Sequence, residues 1–284
     1  MKIKEQGDIN PAEPRKHHLG PGGAGPLRGA GARIIAIINQ KGGVGKSTTA
    51  LALGAGLTLR KRRVLFVDLD AQGNLSYALG AEPGGPGVFE VLTRGAKVRE
   101  VVQATEAGDL LPSSPALAGA DTVLTQTGKE YRLKEALGEL AGSYDFVIID
   151  TPPALGVLTI NALTAADRAL VPAQADVFSL QGVGQLHQTI EAVRQYCNPD
   201  LKILGLLLTR HNGRSVLSRE LAELLADTAK KLQTRLFTAA VRETVAVREA
   251  QARRQSLLAY APNSTAALDY LALVDEVLKI YKAR

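Results

Sequence analysis

The sequence predicts an α/β fold, a doubly wound, mostly parallel sheet with helices on both faces. Three observations carry this. Short, nearly continuous Val/Ile/Leu runs recur, as in "RIIAIIN" from Arg33, "RVLFVDLD" over Arg63–Asp70 and "DFVIIDTPP" over Asp145–Pro153. Such runs mark strands covered on both faces. Segments with helical spacing separate them, which is the order of a parallel sheet. A Gly-rich turn follows the first run directly, and a helical stretch follows the turn.

The elements are expected in this order. Residues 1–32 read as a flexible arm: "HLGPGGAGPLRGAGA" is rich in Gly and Pro, has no periodicity and cannot bury enough surface to fold alone. Its Lys2, Lys4, Arg15 and Lys16 are available to an anionic surface, although an inert extension is the simpler expectation. Residues 33–284 read as one domain, with no repeat and no second linker. A helix is predicted from Lys46 to Arg60, and further strands at "RALVPAQ" (Arg168–Gln174) and "KILGLLLTR" (Lys202–Arg210). Further helices are predicted over Arg132–Ala141, Leu180–Tyr196, Ser215–Lys231, Glu243–Arg253 and Thr265–Lys282. In the last one, Leu268, Leu271, Val274 and Leu278 recur at helical spacing, with Asp269, Asp275 and Glu276 at other positions. That pattern predicts packing on the chain's own domain. A membrane-surface helix would want a polar face rich in Lys and Arg.

Composition narrows the function classes. A length of 284 residues with 45% hydrophobic content supports a sizeable core. Trp is absent and aromatics make up 4%, which argues against base stacking as the main grip on nucleic acid. The single cysteine, Cys197, excludes an internal disulfide framework and a Cys-rich metal or iron–sulfur site within one chain. His17, His18, His187 and His211 show no metal spacing. No apolar run approaches the roughly 20 residues that span a bilayer, and no signal-peptide core is present, so a cytoplasmic protein is expected. The net charge is +6, and between Gly205 and Tyr260 ten Lys/Arg face five Asp/Glu. That bias points to an acidic partner such as a phosphate backbone, although a solvated helix surface would look the same.

The stretch "NQKGGVGKSTT" (Asn39–Thr49) has the chemistry of a phosphate-binding loop. Backbone N–H groups from Gly42, Gly43, Val44, Gly45, Lys46 and Ser47 can wrap a polyphosphate, because glycine allows close approach and unusual dihedrals. The following helix aims its positive dipole end at the same place. Lys46 is placed to reach β/γ-phosphate oxygens, and the Ser47 hydroxyl to ligate Mg²⁺. The spelling departs from G-x-x-x-x-G-K-[ST]: Gln40 stands where the first glycine belongs, and a second lysine, Lys41, lies beside it.

Such a loop needs acids. Asp150 ends the apolar run "FVIID", the usual setting for a Mg²⁺-supporting aspartate. Asp68 and Asp70 end the neighbouring run, and an aspartate there can position a water for in-line attack. Spacing does not decide which of the two does so.

The two-lysine loop, "VDLDAQGN" and "DTPPALGVLTINALTAADRALVPAQADVFSLQGVGQL" together resemble the ParA/MinD family of deviant Walker A ATPases, within it the ParA/Soj branch that segregates chromosomes and plasmids. The resemblance runs from about Arg33 to near Lys282. It implies ATP and Mg²⁺ as cofactors, Gly42 to Thr48 as the nucleotide loop, and a homodimer that sandwiches ATP. Lys41 would then reach the partner protomer's phosphates, Asp70 would position the water, Asp68 would support the metal region, and Asp150 would act on Mg²⁺ through water. Asn212, in "TRHN", falls where the family often contacts adenine. The resemblance also implies non-specific DNA binding by the ATP dimer, slow hydrolysis, a ParB-like stimulating partner and a nucleoid-associated location. Arg242, Arg248, Arg253 and Arg254 are the candidate DNA contacts. Arg248 fits best, in "AVREAQA", although Gln251 replaces the family's proline and "ARRQS" lacks its glycine. The alternatives are a related ATPase positioning a non-DNA cargo, a MinD-like membrane switch, and a metabolic P-loop enzyme.

Overall fold

The computed structural model describes residues 31–82, 84–140, 142–211 and 216–282. The strands are β1 (Arg33–Ile37), β2 (Val64–Asp68), β3 (Gln103–Thr105), β4 (Gly108–Leu111), β5 (Phe146–Asp150), β6 (Arg168–Gln174), β7 (Lys202–His211) and β8 (Leu236–Arg242). The helices are α1 (Lys46–Leu59), α2 (Asn74–Ala78), α3 (Val88–Arg94), α4 (Val98–Val101), α5 (Ala120–Val123), α6 (Arg132–Gly138), α7 (Val157–Ala165), α8 (Val177–Tyr196), α9 (Val216–Lys231), α10 (Val245–Ala252), α11 (Leu257–Tyr260) and α12 (Thr265–Lys282).

The strands form one eight-stranded sheet in the order β3-β4-β2-β5-β1-β6-β7-β8. Every pairing is parallel except β3 with β4. The sheet is therefore doubly wound and mostly parallel, as the apolar runs predict. Alternate side chains feed two cores. Ile35, Ile37, Phe66 and Ile148 pack under α1, α11 and α12. Ala36, Val67, Val147 and Ile149 pack under α3, α6, α7 and α8 on the other face.

This winding places the site. β1 leads through α1 to β2 on one side, and β5 leads through α7 to β6 on the other. The two helices therefore lie on opposite faces, and a crevice opens at the C-terminal tips of β1 and β5, where open parallel sheets bind ligands.

Several elements differ from the sequence reading. β8, the antiparallel β3–β4 pair and α7 go beyond the predicted elements. α6 stops at Gly138, and α8 starts at Val177, earlier than expected, because Asp176 caps it. The buried face of α12 is Ala266, Ala267, Tyr270, Leu273, Val274, Val277, Leu278 and Tyr281. Leu268 is 51% exposed, so the expected apolar stripe is rotated, but the helix does pack on its own domain. No described helix is long and apolar enough to cross a membrane.

Candidate active site

The phosphate loop joins the tip of β1 to α1. Gly43 (φ 76) and Gly45 (φ 90) hold left-handed conformations that side chains rarely adopt. A Cβ added at Gly42, Gly43 or Gly45 would meet nothing within 4 Å, so open space lies beside all three glycines. Its back is fixed. Thr209 Oγ1 donates to the Val44 carbonyl at 2.8 Å, and Gln174 Nε2 donates to the Gly43 carbonyl at 3.1 Å.

Lys46 opens α1 and is 7% exposed. Burial holds its pKa below the usual lysine range, while the Asp150 and Asp70 carboxylates push it back up. Its Nζ makes a 3.3 Å contact with the Lys41 carbonyl.

Asp150 is fully buried at the tip of β5, and neither carboxylate oxygen has a hydrogen-bond partner. Ser47 lies close enough to favour its ionised form but does not complete a hydrogen bond. Burial, then the nearby Asp68, raises its pKa well above the carboxylate range. A buried carboxylate with open lone pairs is costly. A divalent cation beside the loop would remove that cost, so these residues fit Mg²⁺. Among the described residues no three His, Cys, Asp or Glu cluster as a metal cage. Mg²⁺ does not need one, since it takes one or two protein oxygens and completes its shell with phosphate and water.

Asp68 lies directly across from Asp150 in the β2–β5 register. It is also buried, but its oxygens are engaged. Oδ2 accepts from Ser76 N at 2.8 Å and Ser76 Oγ at 2.7 Å, and Oδ1 accepts from Asp70 N at 3.1 Å. Burial drives its pKa up to about 6 against these hydrogen bonds. Asp68 therefore ties the β2 tip to α2 and sets the position of Asp70. The Asp70 carboxylate accepts from Gln72 N at 3.0 Å and is otherwise open to the crevice mouth.

Lys41 is engaged outside the loop, by the N-cap of α8. Its ammonium pairs with Asp176 at 2.5 Å, and the two side chains are 31% and 29% exposed. Asp176 also caps α8 by accepting from Ser179 N at 2.8 Å. Burial opposes ionisation of Asp176, but Lys41 and Ser179 bring its pKa below the usual value. Sequence reading missed Asp176, which lies 135 residues from Lys41. Its one local signal is the N-cap spacing from Asp176 to Ser179. The sequence marks Gln251 only as a departure in its segment and gives no sign of its contact: its Nε2 meets Thr48 Oγ1 at 3.2 Å and ties α10 to the first turn of α1.

A family profile described as an AAA domain matches residues 32–203. The chromosome partitioning protein ParA of Myxococcus xanthus is 40% identical over 252 residues, covering 87% of this chain and 88% of that protein. The sporulation initiation inhibitor protein Soj of Bacillus subtilis is 40% identical over 250 residues, covering 86% of this chain and 98% of Soj. The chain belongs to the ParA/Soj family. Among solved structures, a Mycobacterium smegmatis protein described as cobyrinic acid a,c-diamide synthase with bound ADP and magnesium aligns at TM-score 0.78 and 39% identity, covering 89% of this chain and 96% of that one. An ATP complex of a Cyanothece McdA variant aligns at TM-score 0.78 and 27% identity, covering 88% and 98%.

In this ParA/Soj chain the four candidate DNA arginines differ in freedom. Arg242 is held by Asp269, with Nε at 2.9 Å and Nη2 at 2.7 Å. Arg253 lies 5.4 Å over the Tyr260 ring. Arg254 holds a left-handed backbone (φ 54), and its guanidinium donates to the Tyr77 and Ala81 carbonyls at 3.1 and 3.0 Å. Arg248 is exposed on α10, and among the described residues it has no partner. Asn212 and the N-terminal arm through residue 30 lie outside the described residues.

Proposed function

We propose that the chain is an ATP-dependent DNA-partitioning ATPase whose Mg·ATP form dimerises and holds DNA without sequence preference. One observation carries the nucleotide reading: the buried, unpartnered Asp150 carboxylate beside Lys46 and an open glycine loop. The N–H groups of Gly42 to Thr48 would hold the triphosphate, Lys46 its β/γ oxygens, and Ser47 with Asp150 the metal. Bound Mg²⁺ supplies charge neutralisation at the phosphates. Asp68 acts by positioning, since its oxygens are already engaged. Asp70 orients the attacking water and, in this reading, receives no help from its own chain beyond the Gln72 amide.

Lys41 supports the sandwich. It lies at the loop but pairs with Asp176, so it would reach a partner protomer's phosphates once that ion pair opens. Two triphosphates brought face to face need added positive charge. Loss of the γ-phosphate removes those contacts and returns the protein to monomer. A ParB-like protein would stimulate this step, and the ATP form would reside on the nucleoid. The relatives' names support the partitioning role, and the exposed Arg248 supports the DNA contact.

Sedimentation with ATP, ADP and no nucleotide tests this. The wild type should dimerise only with Mg·ATP, and Lys41→Ala should bind nucleotide but remain monomeric. A normal ATP dimer of Lys41→Ala would remove Lys41 from the interface. The likeness to a structure described as an amide-forming synthase favours a second reading, a metabolic P-loop enzyme. That reading predicts a monomer or constitutive dimer with turnover that depends on a small acceptor.

A further inference from the structure

The sheet edge opposite the phosphate loop holds a recess of about 440 Å³ where β6, β7 and β8 begin. Four cations line it: Arg168 at the start of β6, Lys202 at the start of β7, Arg235 just before β8 and Arg194 in the last turn of α8. No acid is among its lining residues.

Helix capping explains only part of this charge. α8 and α9 both end here, and helix C-termini attract cations to their last carbonyls. Arg194 is accounted for locally, since its Nε donates to the Leu201 carbonyl at 2.7 Å and its guanidinium pairs with Glu191. Arg168 is buried and lies 5.2 Å over the Tyr281 ring. Lys202 and Arg235 are different. Both are exposed, and among the described residues neither has an ion pair or a side-chain hydrogen bond.

Their backbones are nonetheless fixed. Lys202 is the lateral partner of Arg168 across β6 and β7. The Arg235 stem crosses Gly205 so closely that a Cβ there would lie 2.9 Å from its Cγ. The Arg235 carbonyl accepts from Leu206 N at 2.8 Å, and Thr234 Oγ1 donates to the Ile203 carbonyl at 3.1 Å. Two unpaired cationic side chains thus rise from fixed backbone positions on one recess. No described side chain neutralises them, so an anion in the recess would meet both charges.

The chemistry of the anion follows from the lining. No aromatic side chain offers a base-stacking face, so the site does not read nucleobases. An arginine fork beside a lysine point charge suits phosphate oxygens. We propose that this recess is a second anion site, separate from the nucleotide loop, in which Lys202 and Arg235 hold neighbouring phosphate groups of one ligand. The same chemistry arises from a DNA backbone or from a free oligophosphate.

The test uses the full chain, wild type and Lys202→Ala/Arg235→Ala, in two arms. In one, tripolyphosphate is titrated calorimetrically into protein whose loop is filled with Mg·ADP. In the other, duplex DNA retention by the Mg·ATP form is followed across a salt series. The double variant should keep its melting temperature and DNA-free ATP turnover, and should bind about tenfold more weakly in at least one arm. A salt slope lowered by about two identifies backbone phosphates. A loss confined to tripolyphosphate identifies a free ligand. A double variant that matches wild type in both arms overturns the proposal, as does a wild type that binds neither probe. A wild type that retains no DNA but binds tripolyphosphate sinks the partitioning reading alone.

Discussion

The Lys41 ammonium rests 2.5 Å from an Asp176 carboxylate oxygen, so the loop's second lysine is restrained by its own chain. In the sandwich reading this pair must open before Lys41 can serve a partner. Asp176→Asn keeps an oxygen to cap Ser179 and removes the charge that holds Lys41. A partly exposed ion pair contributes about 0.2–1 kcal/mol, which shifts an equilibrium by up to about fivefold. Asp176→Asn should therefore dimerise at up to about fivefold lower ATP in sedimentation runs. An unchanged or higher midpoint would show that the pair does not restrain Lys41.

Asp70 sits at the crevice mouth with only the Gln72 amide on its carboxylate. Positioned proton acceptors contribute about 10²–10⁴-fold to rate. Asp70→Ala should lower phosphate release by at least about 100-fold while the ATP dimer accumulates. Wild-type turnover would refute the assignment, and loss of nucleotide binding would place Asp70 in binding.

The particular residues show why the sequence revealed some features and not others. β1, β2 and β5 were legible because strands buried on both faces need unbroken apolar runs. β8 alternates buried and exposed positions at the sheet edge, and "LFTAAVR" is too short and mixed to announce a strand. α7, in "VLTINALTA", is buried nearly all round and so lacks the polar face that marks a helix. Within the site, Lys46, Ser47 and Asp150 are local signals, each fixed by a loop or a strand tip. The distinction between Asp68 and Asp150 is not local. It rests on Ser76, which fills one carboxylate and leaves the other open. The Lys41–Asp176 and Thr48–Gln251 contacts join distant segments, and no spacing rule reaches them.

The crevice acids predict a pH dependence. The Asp68 carboxyl is pushed up to about 6 from an ordinary 3.8, chiefly by burial, and Asp150 is raised further by burial and by Asp68. A carboxyl whose pKa is higher in the folded state favours folding below its unfolded pKa. That contribution is lost as pH rises through the folded value. In the nucleotide-free protein these two acids should therefore oppose stability more at about pH 7.5 than at about pH 5.5. In the proposed site a metal would need ionised Asp150 and compete with its proton, so Mg·ATP should raise the melting temperature more at the higher pH. Asp150→Asn should flatten that difference. An equal Mg·ATP shift at both pH values in the wild type would remove Asp150 from the metal site.

Gly54 lies mid-helix in α1 against β2, where an added Cβ would fall 2.1 Å from a Phe66 ring carbon. Overpacking of this kind costs about 1–3 kcal/mol. Gly54→Ala should lower the melting temperature by about 2–10 °C and weaken nucleotide binding, because α1 carries Lys46 at its start. Calorimetric melting with and without nucleotide checks both, and an unchanged transition would mean that the helix–strand spacing relaxes freely.

The central claim is that nucleotide state controls DNA binding. The measurement that tests it most directly is retention on non-specific duplex DNA with Mg·ATP, Mg·ADP and no nucleotide, across a salt series. Retention is expected with ATP alone, falling steeply with salt as phosphate contacts require. Equal retention in all three states, or none in any state while ATP still dimerises the protein, would contradict it and point to a different cargo.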